Sequence, residues 1–314
     1  MNVLAQPFAT HRIDVGDGHV LHVEEVGVPT GVPAIFLHGG PGSGCRPDQR
    51  VLFDPGRHRA ILFDQRGAGR SAAEDRFRAN TTDHLVADME RIRETLGIDR
   101  WLVIGGSWGA TLGLAYAERH RERVLGLVLR AVFLGTRAEL DWAFVDGPRR
   151  LRPELYGDFV GHLSEEERDD PLPAYWRRIL DPDPAVHLPA AWAWHDTERI
   201  LSEVSPSRTR LGAPAPGGAA PSTPFLEAHY FAHDCFFAPD ELLLGAERLG
   251  DIPGIIIQGR YDFLCPPANS AALAARWHNA SLRIIEGAGH AMSEPGVTPA
   301  MRQAIAELTA QVRG

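Results

Sequence analysis

Ser107 is the residue whose surroundings most clearly suggest chemistry. It sits in the run Gly105-Gly106-Ser107-Trp108-Gly109. Trp101 to Ile104, just before it, is a short apolar, partly β-branched stretch and reads as a buried strand. Leu112 to Glu118, just after it, is rich in helix formers. Gly-x-Ser-x-Gly between a strand and a helix is the pattern that lifts a serine hydroxyl onto a sharp turn. The glycines are needed because side chains there would collide with the strand or the helix. The following helix aims its first N–H groups and the positive end of its dipole at the site. The chemistry would be nucleophilic attack by Ser107. The five residues alone fit an ordinary tight βα turn equally well, so the partners must decide.

A nucleophilic serine needs a base and an acid that orients it, in the chain order Ser, Asp or Glu, His. Asp262 follows the apolar run Ile255-Ile256-Ile257, and His290 lies in the loop Gly287-Ala288-Gly289-His290 after another strand-like run. With 14 histidines in the chain, one of them means little alone. Three residues of the right types, each ending its own strand and in the required order, are hard to obtain by chance. His290 would take the proton from Ser107 and Asp262 would hold the imidazole tautomer. The strand Pro33–Leu37 runs into His38-Gly39-Gly40-Pro41-Gly42-Ser43-Gly44. No Gly-Lys-Ser/Thr and no GxGxxG is present, which argues against a nucleotide site. In a hydrolase such a loop supplies an N–H to the oxyanion hole, here Gly40 together with Trp108. Cys265 is three residues beyond Asp262 and should lie close to the site. Asp64 and Arg66, in the polar loop Asp64–Ser71, are expected to form a structural ion pair that braces it.

Composition narrows the function further. The chain has 314 residues, 44% of them hydrophobic, enough for a large core. A formal net charge of −9 argues against nucleic acid as a partner. Cys45, Cys235 and Cys265 are widely spaced and odd in number, so neither a disulfide framework nor a zinc site is expected. His229-x-x-x-His233 lacks the Glu of HExxH and is read as packing, so no metal and no cofactor are expected. The N-terminus shows no signal-peptide pattern, and no apolar run approaches the ~18 residues of a membrane span. A cytoplasmic protein, monomeric or a small homo-oligomer, is the expectation.

Positioning these residues requires a sheet. Arg12–Val15 and His19–Val26 around Gly16-Asp17-Gly18 read as a hairpin. Arg59–Phe63, Val124–Leu129, Gly254–Gln258 and Leu282–Glu286 add strands. Thr82 is expected to cap a helix over Asp83–Leu96 that Gly97 stops, and Pro299–Val312 forms a terminal helix. Strands alternating with helices give an α/β fold with a mostly parallel, doubly wound sheet. Residues 136–248 break the rhythm: they are helical, rich in Trp, Arg, Glu and Pro. A helical cap over 136–248, inserted into an α/β domain of 1–135 and 249–314, is the expected organisation, with Pro- and Gly-rich residues 205–224 as a mobile loop.

Together these motifs resemble the proline iminopeptidase (prolyl aminopeptidase) family of α/β-hydrolases over nearly the whole chain. The resemblance rests on His38–Gly42, Asp64-Gln65-Arg66-Gly67-x-Gly69-x-Ser71, Gly105–Gly109, Gly259-Arg260-Tyr261-Asp262-x-x-Cys265-Pro266 and Gly287–His290. It implies a serine peptidase of short peptides with a free N-terminal proline, acting through an acyl-enzyme. A carboxylesterase, lactonase or C–C hydrolase on the same triad is the alternative. The family holds the substrate amine with a Glu in an Ala-Trp-x-x-Trp-Glu segment and a Glu before His-Tyr-Phe. Glu198 in Ala193-Trp194-His195-Asp196-Thr197-Glu198 and Glu227 in Glu227-Ala228-His229-Tyr230-Phe231 occupy those places, with Thr197 departing from the pattern. Phe133 and Cys265 are implied at the pyrrolidine pocket, where Phe133-Leu134-Gly135-Thr136 and Ala143 also depart from it. The chemistry is reasonable in its own right. An α-amine is mostly cationic at neutral pH, and a protonated proline has two N–H donors that two carboxylates can satisfy.

Overall fold

Apolar residues on consecutive positions, rather than alternate ones, mark strands covered on both faces, and this chain builds its centre from such runs. A computed structural model describes residues 5–212 and 221–313. The strands are β1 (Pro7–Gly16), β2 (His19–Gly27), β3 (Val32–Leu37), β4 (His58–Asp64), β5 (Ala72–Ala73), β6 (Trp101–Ser107), β7 (Val124–Val132), β8 (Gly254–Gly259) and β9 (Ala280–Ile285). They form one sheet in the order β1-β2-β4-β3-β6-β7-β8-β9, with β5 paired to β2. β1, β2 and β4 pair antiparallel, and every ladder from β4 to β9 is parallel.

On β6, Trp101 and Val103 face one layer and Leu102 and Ile104 the other. The first layer contains α1 (Thr82–Thr95) and α2 (Trp108–Arg119), through Leu85, Met89, Ile92, Leu112 and Tyr116. The other face is covered by α11 (Val297–Arg313), through Val297, Met301, Ile305 and Leu308. Between β7 and β8 every regular element among the described residues is helical: α3 (Arg137–Asp141), a π-helical turn Trp142–Asp146, α4 (Gly147–Leu151), α5 (Pro153–Gly161), α6 (Pro171–Ile179), α7 (Pro184–Leu201), α8 (Thr223–Phe231) and α9 (Glu241–Gly245). α10 (Pro267–Arg276) then links β8 to β9. Of the stretch 205–224, residues 213–220 lie outside those described. Before that gap Arg208 pairs with Asp196 at 2.6 Å and Arg210 with Asp158.

Two expectations are corrected. The cap of α1 is Thr81, whose Oγ1 accepts from the His84 N–H. Thr82 is already helical, and its Oγ1 donates to the Cys235 carbonyl at 2.7 Å. Adjacent threonines cannot be told apart until the chain's direction of entry is known. Asp64 and Arg66 do not pair with each other. Arg66 turns inward to Asp88 on α1, with Nε–Oδ2 at 2.7 Å and Nη2–Oδ1 at 2.8 Å, and also donates to the Ala79 and Val15 carbonyls. Asp64 bonds Arg70 instead, Nε–Oδ2 2.9 Å.

Arg66 and Asp88 are 3% and 1% exposed, so removing one partner leaves a buried charge. Arg66→Met is expected to cost about 3–5 kcal/mol of stability, and Asp88→Leu in the same chain should recover part of it. Urea denaturation of the two variants checks this; a single variant as stable as the parent would contradict it.

Candidate active site

Sterics shape the turn at Ser107. The residue ends β6 with φ 57° and ψ −126°, in a region that residues with a side chain rarely adopt. The chain can close around it because the residues two before and two after it lack side chains. A Cβ on Gly105 would lie 2.2 Å from the Gly109 carbonyl oxygen, and one on Gly109 2.1 Å from that of Leu37. α2 begins at the next residue, so its first N–H groups open beside Ser107.

Asp262 follows β8 and His290 follows β9, and both are buried. His290 Nδ1 lies 3.0 and 3.1 Å from the two Asp262 carboxylate oxygens. A carboxylate only accepts, so the neutral ring is held as the tautomer with its proton on Nδ1 and its lone pair on Nε2. Asp262 also accepts from the Cys265 N–H at 2.9 Å and from Gln258 Nε2 at 3.3 Å. Ser107, His290, Gly40 and Glu198 line one cavity of about 670 Å³, within the usual range for small-ligand sites.

Two supports of His290 have no motif in the sequence. The His290 and Ala291 N–H groups both donate to the Ser202 carbonyl, at 3.0 and 2.9 Å, where α7 ends. Arg130, on β7 opposite Gly106, donates from Nη1 to the His290 carbonyl. Burial lowers the Arg130 pKa, against the pull of the nearby Asp262 charge. The one available signal for Arg130 was a charge in the otherwise apolar strand Val124–Val132.

Two glutamates come to the site from the helices between β7 and β8. Glu198, on α7, faces the cavity; Glu227, on α8, is 1% exposed and lies behind it. Trp194 Nε1 donates to Glu227 Oε2 at 2.8 Å. Burial pushes both carboxyls up, and Glu227 is raised further by the Glu198 charge, whereas a charged His290 would favour ionised Glu198. Thr197 is buried and donates to the Ala193 carbonyl on its own helix, at 2.7 Å. A narrow, mostly apolar arm leaves the cavity next to Ser107, walled by Phe133, Leu140, Ala143, Phe144, Phe231 and Cys265, with Glu139 and Glu198 as its two carboxyl residues. Phe144 stacks on Trp194 at 4.1 Å, joining this arm to the carboxylate pair. His229 is packing, as expected from the sequence: it bonds the Asn80 carbonyl at 2.8 Å and lies against Phe77 and Phe236.

A family model for the alpha/beta hydrolase fold matches residues 33–297. The chain is 43% identical over 290 residues to a proline iminopeptidase of Xylella fastidiosa, covering 92% of this chain and 93% of that one. It is 42% identical over 311 residues to one of Neisseria meningitidis, covering 98% of both. The chain belongs to the proline iminopeptidase family of α/β-hydrolases. Solved structures similar to it include a proline iminopeptidase-related protein of Thermus thermophilus, at TM-score 0.60 and 23% identity, covering 96% of this chain and 98% of that one. The proline iminopeptidase of Mycobacterium smegmatis matches at TM-score 0.59 and 18% identity, covering 96% and 98%. At those identities the structures speak for the fold alone. Like other α/β-hydrolases, this chain carries its candidate nucleophile, acid and base at strand C-terminal ends.

The Cys265 thiol is buried among apolar groups and its pKa is raised well above the usual value, first by burial and then by Asp262. It is therefore a poor nucleophile. A mercurial reaching Cys265 should block the arm by bulk. Cys265→Ser is expected to stay active and to resist the reagent in a kinetic assay. A variant that remains fully sensitive would move the target to another cysteine.

Proposed function

We propose that this protein is a serine aminopeptidase that releases N-terminal proline from short peptides through an acyl-enzyme. The observation that carries the reading is that Glu198, one of a pair of buried carboxyls, lines the mostly apolar arm that opens beside Ser107. A cationic ring amine would meet Glu198, with the ring in the arm beside Phe133 and Cys265. A neutral acyl substrate has no use for two anions. In this reading the helices of 136–248 cap an α/β domain of 1–135 and 249–314 and restrict access to a chain end. Three buried, free cysteines fit a reducing compartment and support a cytoplasmic location in this reading. Among the described residues no helix is long and apolar enough to cross a membrane.

The steps follow from the chemistry of the groups. His290 Nε2 takes the Ser107 proton as the oxygen attacks the proline carbonyl. The tetrahedral oxyanion is held by the N–H groups of Gly40 and Trp108, where such stabilisation typically contributes ~3–4 kcal/mol. His290 then protonates the leaving amine, and the prolyl ester on Ser107 remains. Water, activated by His290, releases proline. Asp262 keeps the proton on Nδ1 and stabilises the imidazolium.

Ser107→Ala, His290→Ala and Asp262→Asn are each expected to lower kcat by several orders of magnitude with the fold intact, since triad members act as a unit. Folded Ser107→Ala with near-parental turnover would exclude the serine mechanism.

Hydrogen bonds to charged groups contribute about 1.5–3 kcal/mol each. Glu198→Gln should therefore lose roughly ten- to a hundredfold in kcat/KM on prolyl-naphthylamide, and Glu227→Gln somewhat less because it lies behind. A small neutral ester should be hydrolysed almost normally by both. If the parent enzyme cleaves N-acetyl-prolyl and free prolyl substrates equally well, the amine-recognition reading is wrong.

The raised glutamates also set a pH dependence. A carboxyl whose folded value lies above 4.5 keeps its proton while the unfolded chain ionises, so stability falls as pH rises past 4.5. Glu227→Gln is expected to raise Tm at neutral pH while weakening peptide turnover. Binding a cation needs the ionised pair, so kcat/KM for the prolyl substrate relative to the ester should climb with pH over the same range. Calorimetry and paired pH profiles measure both; a Tm lowered at neutral pH would show that Glu227 supports the fold.

A further inference from the structure

We propose that Gln65 is a positioning residue that fixes the spacing of the two oxyanion-binding N–H groups, those of Gly40 and Trp108. The inference rests on the assignment of those groups made above. The two donors belong to different elements, the loop after β3 and the first turn of α2. The parallel ladder between β3 and β6 ends at the pair Leu37–Gly105. Both donors lie beyond that point, where no ladder hydrogen bond sets their separation.

Gln65 spans that gap. It follows β4, is 2% exposed, and lies off the cavity wall. Its Oε1 accepts from Trp108 Nε1 at 2.9 Å. Its Nε2 donates to the His38 carbonyl at 3.0 Å. Its main-chain N–H donates to His38 Nε2, also at 3.0 Å. His38 Nδ1 in turn donates to the Gly39 carbonyl at 2.9 Å. One amide thus holds the side chain whose own backbone N–H is a donor and the peptide two residues before the other donor. The His38 ring must be neutral to accept at Nε2, and burial of this ring lowers its pKa in the required direction. A primary amide donates from its nitrogen and accepts at its oxygen without charge, whereas the carboxylate of the same shape only accepts.

The test separates positioning from substrate recognition and from folding. Gln65→Met removes both side-chain bonds at similar volume. Trp108→Phe removes one of them from the other end. Each is expected to lower kcat about ten- to a hundredfold, with KM within about threefold, on both prolyl-naphthylamide and p-nitrophenyl acetate. The competitive inhibition constant of pyrrolidine, which has no carbonyl, should not change. The double variant should lose less than the product of the single losses. If Gln65→Met fails to fold, Trp108→Phe and Gln65→Glu interrupt the same link, and a loss of kcat on both substrates still supports it. A kcat within about threefold of the parent on both substrates overturns the proposal. So does a loss confined to the prolyl substrate with pyrrolidine weakened in parallel. A parent enzyme that hydrolyses the ester but no free prolyl substrate would end the peptidase reading, while the ester arm still decides the role of Gln65.

Discussion

Ser107 occupies a backbone conformation that costs of order 1–3 kcal/mol, and the surrounding structure is what keeps it there. Gly105 and Gly109 allow strand and helix to close on either side of it. Trp108, next in the chain, is fully buried, bonded to Gln65 and set edge-on against Tyr230 at 4.8 Å. Thr111 Oγ1, one turn along α2, donates to the Phe133 carbonyl at 2.6 Å. The strained residue is therefore anchored to the Gly-rich loop after β3, to α8 and to the end of β7. A nucleophile on a surface loop would relax; here relaxation would have to break a buried network.

The loop Asp64–Ser71 distributes that support. Burial alone would push the Asp64 carboxyl up, but the Arg70 guanidinium and the N–H groups of Cys45 and Arg70 hold it below the usual range. Through the Cys45 N–H at 2.6 Å it steadies the end of the Gly-rich loop. Arg66 locks the same loop to α1, and Asn80 carries the contact onward. Asn80 donates to the Arg66 carbonyl at 3.1 Å and accepts from the Tyr230 hydroxyl at 2.7 Å. Tyr230 is three residues beyond Glu227 on α8, so one loop braces both the Gly-rich loop after β3 and the helix that carries Glu227.

α7 does the corresponding work from above. Trp194 bonds Glu227, Glu198 faces the cavity, and Ser202 receives the N–H groups of His290 and Ala291. A tilt of this helix would displace Glu198, Glu227 and His290 together. Burying two carboxylates side by side opposes folding, because desolvation and mutual repulsion both disfavour the ionised pair. A site that holds an organic cation has a reason to keep such a pair, since the ligand supplies the missing charge.

The sequence alone determined the elements and the chain order of the candidate catalytic residues. Apolar runs, glycine punctuation and the succession Ser107, Asp262, His290 are local properties, and each was legible without coordinates. Residues 136–248 stood out because the strand rhythm stopped there. Tertiary structure decided everything that depends on which distant groups meet. Nothing in the spacing said that Arg66 would choose Asp88 over Asp64, since either carboxylate lies within reach of a long side chain. Nothing marked Ser202 as a receiver of the His290 loop, because a main-chain carbonyl carries no sequence signal. Glu198 and Glu227 were visible as two glutamates; that one faces the cavity and the other lies behind it follows from how α7 crosses α8. Local pattern fixes what a residue can do. Only the packed chain fixes how far it stands from its partner, and hydrogen bonds and charges act over that distance.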